Sequence, residues 1–305
     1  MNGLVVFVEG AADGWYVLRA LGQNAGAQLA KEKPALLPTP FGKSQQAGGQ
    51  QDGSLILNWH ARATLDDLTL AASSEGHEPV FQVVASIPGN SSRAELKVFI
   101  VRMGGDRHCG PVWELLERLK DVFASPLHYD IQKLAVAFVF DADTPEHFSQ
   151  TTGDGLSHRL QWFKENFALL EGSGDAAHCK WQNASPFPWG LYVWHDGSTR
   201  NGTIENVLHP SLMAGEWERK LNDAESYLAT HADPNASVRT KEADKLKAQI
   251  TIVGQLFRPG SSLAQVVRRG DPSDPAAMPN GVFSSPAATA LCKFLVDDCP
   301  WTDRS

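Results

Sequence analysis

Leu4-Val5-Val6-Phe7-Val8-Glu9-Gly10-Ala11-Ala12-Asp13 and Leu134-Ala135-Val136-Ala137-Phe138-Val139-Phe140-Asp141-Ala142-Asp143 each carry an apolar run into a pair of acids. Runs of this length, rich in Val and Phe and closed by Gly or Asp, read as strands covered on both faces of a parallel sheet. Ligands of such sheets bind outside the carboxyl ends of the strands. Glu9, Asp141 and Asp143 would all lie at that edge. Alternate residues of a strand share a side, so Asp141 and Asp143 are expected to address one ion while Ala142 turns away. Carboxylates gathered in one place repel one another, and a hard divalent cation with oxygen ligands relieves that repulsion.

Two further apolar runs, 97–101 and 190–194, join 4–8 and 134–140 as expected strands. Helical patterns alternate with them, which is the signature of a βαβ layout. One helix is expected from Asp13 to about Lys33. Pro111 suits the first turn of a second, carrying Trp113, Leu116, Leu119 and Phe123. Leu156, Leu160, Phe163, Phe167 and Leu170 recur at spacings of four and three, so one face of a third helix is buried.

Between Pro34 and Gly89 the pattern changes to short runs at 55–57, 68–70 and 80–84, after a Gln/Gly-rich loop at 42–53. This stretch, about 38–96, reads as a β-rich insertion. After His209-Pro210 the chain turns helical, with Met213, Trp217 and Leu221, then Leu246, Ile250, Val253 and Phe257, on buried faces. Residues 270–286 read as a loop and 287–295 as a terminal helix. The expected division is a core at 1–210 and a helical subdomain at 211–305. No internal repeat is visible.

With 305 residues the chain can bury a sizeable core. Its apolar runs are too short for a membrane span and no basic region precedes the first, so a cytoplasmic location is expected. Four cysteines, Cys109, Cys179, Cys292 and Cys299, are too few and scattered for a disulfide framework, and read as buried thiols. His108-Cys109 and His178-Cys179 lack the partners of a zinc site. Phe41-Gly42-Lys43-Ser44 is not a phosphate loop, because Leu37 stands where the upstream glycine belongs.

The net charge of -8 argues against an evenly basic nucleic-acid surface. Its distribution is uneven. Arg239, Lys241, Lys245, Lys247, Arg258, Arg268 and Arg269 face only Glu242 and Asp244 in the same segment, seven against two, a local balance of +5. That segment reads equally as a polyanion-binding patch or as a solvated helix face.

The order strand-Glu9-Gly10-x-x-Asp13-helix, a Gly104-Gly105 turn after the second strand, and strand-Asp141-x-Asp143 resembles the Toprim domain of topoisomerases, primases and several nucleases. The fourth strand with Gly202-Thr203-Ile204-Glu205-Asn206-Val207-Leu208 is similar to the small Toprim branch that includes the overcoming-lysogenisation-defect (OLD) nucleases. The resemblance covers roughly 1–37 and 97–210. One departure is Thr144-Pro145-Glu146 after the second acid pair, where many members carry a glycine.

The resemblance implies a Toprim-like, Rossmann-like parallel four-stranded sheet flanked by helices, and metal-dependent cleavage of DNA or RNA. Two Mg²⁺ or Mn²⁺ ions would be held, one by Glu9, Asp13 and Glu205, the other by Asp141 and Asp143, with Glu9 an alternative proton-transfer group. Lys245 and Lys247 are candidates for a phosphate-stabilising lysine. OLD-type proteins carry an ATPase portion that this sequence lacks, so an ATPase or sensor is expected as a separate chain, in an antiviral defence role. Two readings stay open. Glu9 and Asp13 could merely cap the first helix, and the chain could be a non-catalytic Toprim-like module that binds a partner protein or nucleic acid.

Overall fold

The computed structural model describes residues 1–29, 38, 41, 80–90, 94–106, 109–124, 129–231, 242–269 and 277–300. Seven strands form one sheet: β1 (Asn2–Val8), β2 (Gln28–Leu29), β3 (Val80–Ile87), β4 (Leu96–Arg102), β5 (Lys133–Asp141), β6 (Lys180–Gln182) and β7 (Trp189–Trp194). Their order is β2-β3-β4-β1-β5-β7-β6. The four expected strands are the central four, and every pairing among them is parallel. The flanking β2, β3 and β6 are antiparallel additions. The sheet is therefore mixed and larger than expected, within the α/β class.

Alternation along the central strands sorts their side chains into two cores. Leu4, Val6 and Val8 of β1 face one core with Ala135, Ala137 and Val139 of β5. Val5 and Phe7 face the other with Val136, Phe138 and Phe140. Complete burial of such side chains stabilises by about 1.5–3 kcal/mol each. Neither face is left to water because helices cover both.

The first face carries α1 (Ala11–Ala25), α4 (Ile204–Met213), α5 (Glu218–His231), α6 (Glu242–Phe257), α7 (Leu263–Arg268) and α8 (Pro286–Cys292). The second carries α2 (Cys109–Ala124) and α3 (Gly155–Asn166). No described helix is long and apolar enough to cross a membrane.

Several boundaries differ from expectation for local reasons. α1 stops at Gly26, whose left-handed φ of 68° ends the helix well before Lys33. α3 ends at Asn166, so Phe167 and Leu170 are buried from beyond its last turn. The expected break at His209-Pro210 falls inside α4, which tolerates Pro210. The C-terminal helices share a core with β1 and β5. Of the expected insertion, 80–84 lies in β3, while the runs at 55–57 and 68–70 lie outside the described residues. Cys292 and Cys299 are buried as expected, whereas Cys179 is exposed.

Candidate active site

Parallel β4, β1, β5 and β7 end at one edge, and the acids follow from where each strand stops. Beyond β4, the N–H groups of Gly104 and Gly105 donate to the Glu9 carbonyl at 3.2 and 3.1 Å. Their φ values of 84° and 108° explain why glycines stand there. Gly10 opens α1, and its N–H donates to Asp13 Oδ2 at 2.7 Å. A side chain at Gly10 would place a Cβ 2.9 Å from that same oxygen. Asp13 thus caps α1 with one oxygen, as the modest reading held. Its other oxygen, Oδ1, is buried with no hydrogen-bond partner among the described residues.

Glu9 reaches across to β5, where its Oε1 accepts from the Asp141 N–H at 2.9 Å. Asp141 Oδ1 accepts from the Ile204 N–H, at the first turn of α4, at 2.9 Å. That bond joins the second acid pair to the Gly-Thr-Ile-Glu motif. Within the motif the Thr203 hydroxyl donates to Glu205 Oε2 at 2.7 Å, and the Thr203 N–H donates to Asn206 Oδ1 at 2.9 Å. Asp13 and Glu205 are 7% and 4% exposed. Lys247 of α6 brings its Nζ to 3.7 Å from Glu205 Oε1.

Electrostatics confirm that these acids share one place. Burial and then the charges of Glu205 and Glu9 push the Asp13 carboxyl up to about 8. Burial raises Glu9 to about 7, against the pull of Arg159. Asp141 lies well above the ordinary carboxylate range through burial and the charges of Asp13, Glu9, Glu205 and Asp143. The four motifs of the sequence therefore meet at one edge of the sheet.

Asp143 departs from the expected alternation. β5 ends at Asp141, and Asp143 adopts a left-handed φ of 58° while its backbone bridges Gly202. Its Oδ2 accepts from Arg159 at 2.6 Å. Arg159 is fully buried on α3 and is the hub of this half of the site. It also donates to the Asp141 carbonyl at 2.7 Å, contacts Asp106 Oδ2 at 3.3 Å and lies 3.3 Å from Glu9 Oε1. Asp106 in turn bonds His147 Nε2 at 2.7 Å and is held below its ordinary pKa, chiefly by that bond. Hence Arg159 compensates Asp143, Asp106 and one edge of Glu9, while among the described residues Glu205 has only the half-exposed Lys247 beside it and no ion pair is formed by Asp13 or Asp141.

Arg159, Asp106, His147, Thr203 and Asn206 were not selected from the sequence. Arg159 carried a signal: it sits three after Leu156 and four before Phe163, on the apolar stripe of its helix. Asp106 and His147 lie in loops joined only by tertiary structure. Gly155 shows how tightly the loop after β5 is held. Its N–H donates to Asn201 Oδ1 at 2.5 Å, and an added Cβ would stand 2.3 Å from the Asp143 carbonyl oxygen. Gly155→Ala is expected to lower stability by about 1–3 kcal/mol, read as a shift in the urea midpoint; an unchanged midpoint would count against this packing.

The basic segment divides. Arg239 and Lys241 lie outside the described residues. Lys245 and Lys247 are two apart on α6, so they do not face the same site, and it is Lys247 that reaches Glu205. Arg258 follows α6. Arg268 stacks over Trp15 at 5.0 Å, and Arg269 donates to the Ser261 hydroxyl at 2.5 Å. Two of the expected nucleic-acid contacts therefore serve internal packing.

The donor chemistry suits a hard divalent cation: all oxygens, like-charged, with Asp13 Oδ1 lacking a partner. As placed, no three His, Cys, Asp or Glu side chains among the described residues stand close enough together to hold a metal ion. The raised acids predict how the metal-free chain responds to pH. Between the unfolded pKa near 4 and the folded values of about 7 and 8, the folded state holds protons that the unfolded state releases, so stability falls as pH rises. His147, raised by Asp106, acts in the same direction. His178, pushed down to about 4 by burial, acts oppositely below about pH 6.5. In EDTA, the melting temperature is expected to fall from about pH 6.5 to about pH 8.5 and to be restored at the upper end by Mn²⁺. A flat or rising profile in EDTA would contradict the burial of these acids.

No family model matches the chain, and no curated protein matches it. Among solved structures, it is similar to the crystal structure of hypothetical protein PH0156 from Pyrococcus horikoshii OT3, with a TM-score of 0.46 and 13% identity over 88% of this chain and 87% of that one. A likeness at that distance assigns neither a fold family nor a function.

Proposed function

We propose that this chain is a metal-dependent nuclease that hydrolyses phosphodiester bonds of DNA or RNA at the carboxylate cluster. The observation that carries the reading is the meeting of Glu9, Asp13, Asp141 and Glu205 at the carboxyl edge of the parallel strands, with Asp13 Oδ1 buried and unbonded. Asp13, Asp141 and Glu205, flanked by Glu9, would hold Mg²⁺ or Mn²⁺. Such an ion stabilises charge on phosphoryl oxygens and acidifies bound water.

The chain's own residues do the rest. Thr203 fixes the rotamer of Glu205, and the Ile204 N–H fixes that of Asp141. Arg159 pairs with both Glu9 and Asp143, which leaves chiefly Asp13, Asp141 and Glu205 to an ion and favours one ion where the family resemblance implies two. Lys247, half exposed beside Glu205, is placed to meet a phosphate oxygen. The proposal extends to a cytoplasmic setting and a separate ATPase or sensor chain in a defence role, as the Toprim resemblance implies.

The test is incubation of plasmid, single-stranded DNA and RNA with the chain in EDTA, Mg²⁺ and Mn²⁺. Cleavage that needs a divalent ion and is lost in Glu205→Gln is expected. A second reading, the non-catalytic Toprim-like module, draws on the absence, among the described residues, of three such side chains close enough to hold a metal ion and on the pairing of Asp143 with Arg159. It predicts nucleic-acid or partner binding with no cleavage under any divalent ion.

A further inference from the structure

Beside the carboxylate cluster, on the far side of Arg159, lies an open cleft of about 470 Å³. Its lining includes Asp106 and His147, which belong to the Arg159 network, and the rings of Phe148 and Trp162. Arg159 supports both rings from beneath, with its guanidinium 5.0 Å from the Phe148 centroid and 4.7 Å from that of Trp162. Trp162 is further fixed edge-on against Phe140 at 5.4 Å. The aromatic walls are thus held by the same buried residue that holds Glu9 and Asp143.

The chemistry of the lining selects a class of ligand. Among the described residues its lining carries the acids Asp106 and Glu165 and no Lys or Arg, which does not favour a phosphate. Gln150 and Gln161, the latter donating to Glu165 Oε1 at 2.7 Å, bring amide groups to a cleft lined by two aromatic side chains, the combination that recognises a planar heterocycle by stacking and edge hydrogen bonds. Its volume falls within the range of about 300–1,000 Å³ typical of small-molecule sites. A paired base has its faces covered and its edge occupied, and so cannot use such a cleft.

We infer that this cleft receives an unpaired nucleobase of the substrate, so that the chain acts on single-stranded segments or ends. The inference rests on the nuclease reading for its substrate, and on the cleft for its specificity. The base would be held beside Asp106 and His147, with the phosphate backbone leading from the cleft toward the acids.

The test is fluorescence anisotropy in EDTA, where no divalent ion is present, with a short labelled single-stranded oligonucleotide and the blunt two-strand duplex it forms with its complement. The single strand is expected to bind at least about tenfold more tightly than the duplex, the scale of losing one base stack. Phe148→Leu, which keeps apolar volume over Arg159 but removes the ring, and Gln161→Ala on the exposed face of α3 should each weaken the single strand by about five- to tenfold and leave the duplex unchanged. Equal binding of the two nucleic acids, or single-strand binding unaffected by both variants, overturns the inference. A single-strand preference that depends on Phe148 and Gln161, without cleavage in Mg²⁺ or Mn²⁺, removes the nuclease reading and keeps the cleft. Cleavage with no such preference removes the cleft alone.

Discussion

Arg159→Met is expected to destabilise the chain by about 3–5 kcal/mol, the usual cost of removing one partner from a buried ionic cluster. Methionine can fill the space between Phe140, Phe148 and Trp162, so the loss is electrostatic. Without the guanidinium, Asp143 and Asp106 lose their cation, Glu9 loses its nearest positive charge, and the Asp141 carbonyl loses a 2.7 Å donor. Equilibrium urea unfolding at neutral pH measures the cost. Because the uncompensated acids then favour protonation, the gap to wild type should narrow as pH is lowered toward about 5. A loss below about 1 kcal/mol would show that Arg159 is not the hub described here.

Asp13→Asn is expected to have the opposite effect on stability and a larger one on activity. Asp13 is 7% exposed and its carboxyl is lifted to about 8 by burial and by Glu205 and Glu9. Asparagine keeps the shape without the charge, so in EDTA at about pH 8.5 the variant should melt higher than wild type. The same substitution removes a candidate ligand. Divalent-dependent cleavage should fall by more than about a hundredfold, the upper end of what outer-shell changes around metals cost. A variant that is less stable in EDTA at alkaline pH, or that retains cleavage, would contradict the placement of Asp13 in the cluster.

Most of the frame was legible in the sequence because it rests on short-range patterns. The runs at 4–8, 97–101, 134–140 and 190–194 are apolar on both alternating faces, and only a strand covered on both sides accommodates that. Of the antiparallel strands, β3 was foreshadowed by the run at 80–84, whereas β2 and β6 escaped notice for physical reasons. β2 has two residues and β6 has three, too few to show any period. Helix ends turned on single residues: Gly26 stops α1 through its left-handed backbone, whereas Pro210, read as a boundary, is carried within α4.

The candidate site was legible in part. Glu9, Asp13 and Asp141 follow strand ends or helix starts, so local pattern located them, whereas Glu205 came from the family resemblance. The orientation of Asp143 was misjudged because alternation was extended two residues past the end of β5, where the backbone turns left-handed. Asp106 and His147 could not be found from spacing, since their partnership spans 41 residues and exists only through the fold. Arg159 was visible as a charge on an apolar helix stripe, but its partners were not.

Titration of Mn²⁺ into the metal-free chain at about pH 8, followed by calorimetry with wild type and Asp141→Asn side by side, addresses the cluster most directly. Saturable binding of about one ion per chain, with proton release, is expected for wild type, and its loss in the variant. No saturable binding by wild type, or equal binding by Asp141→Asn, would contradict a cation site formed by these acids.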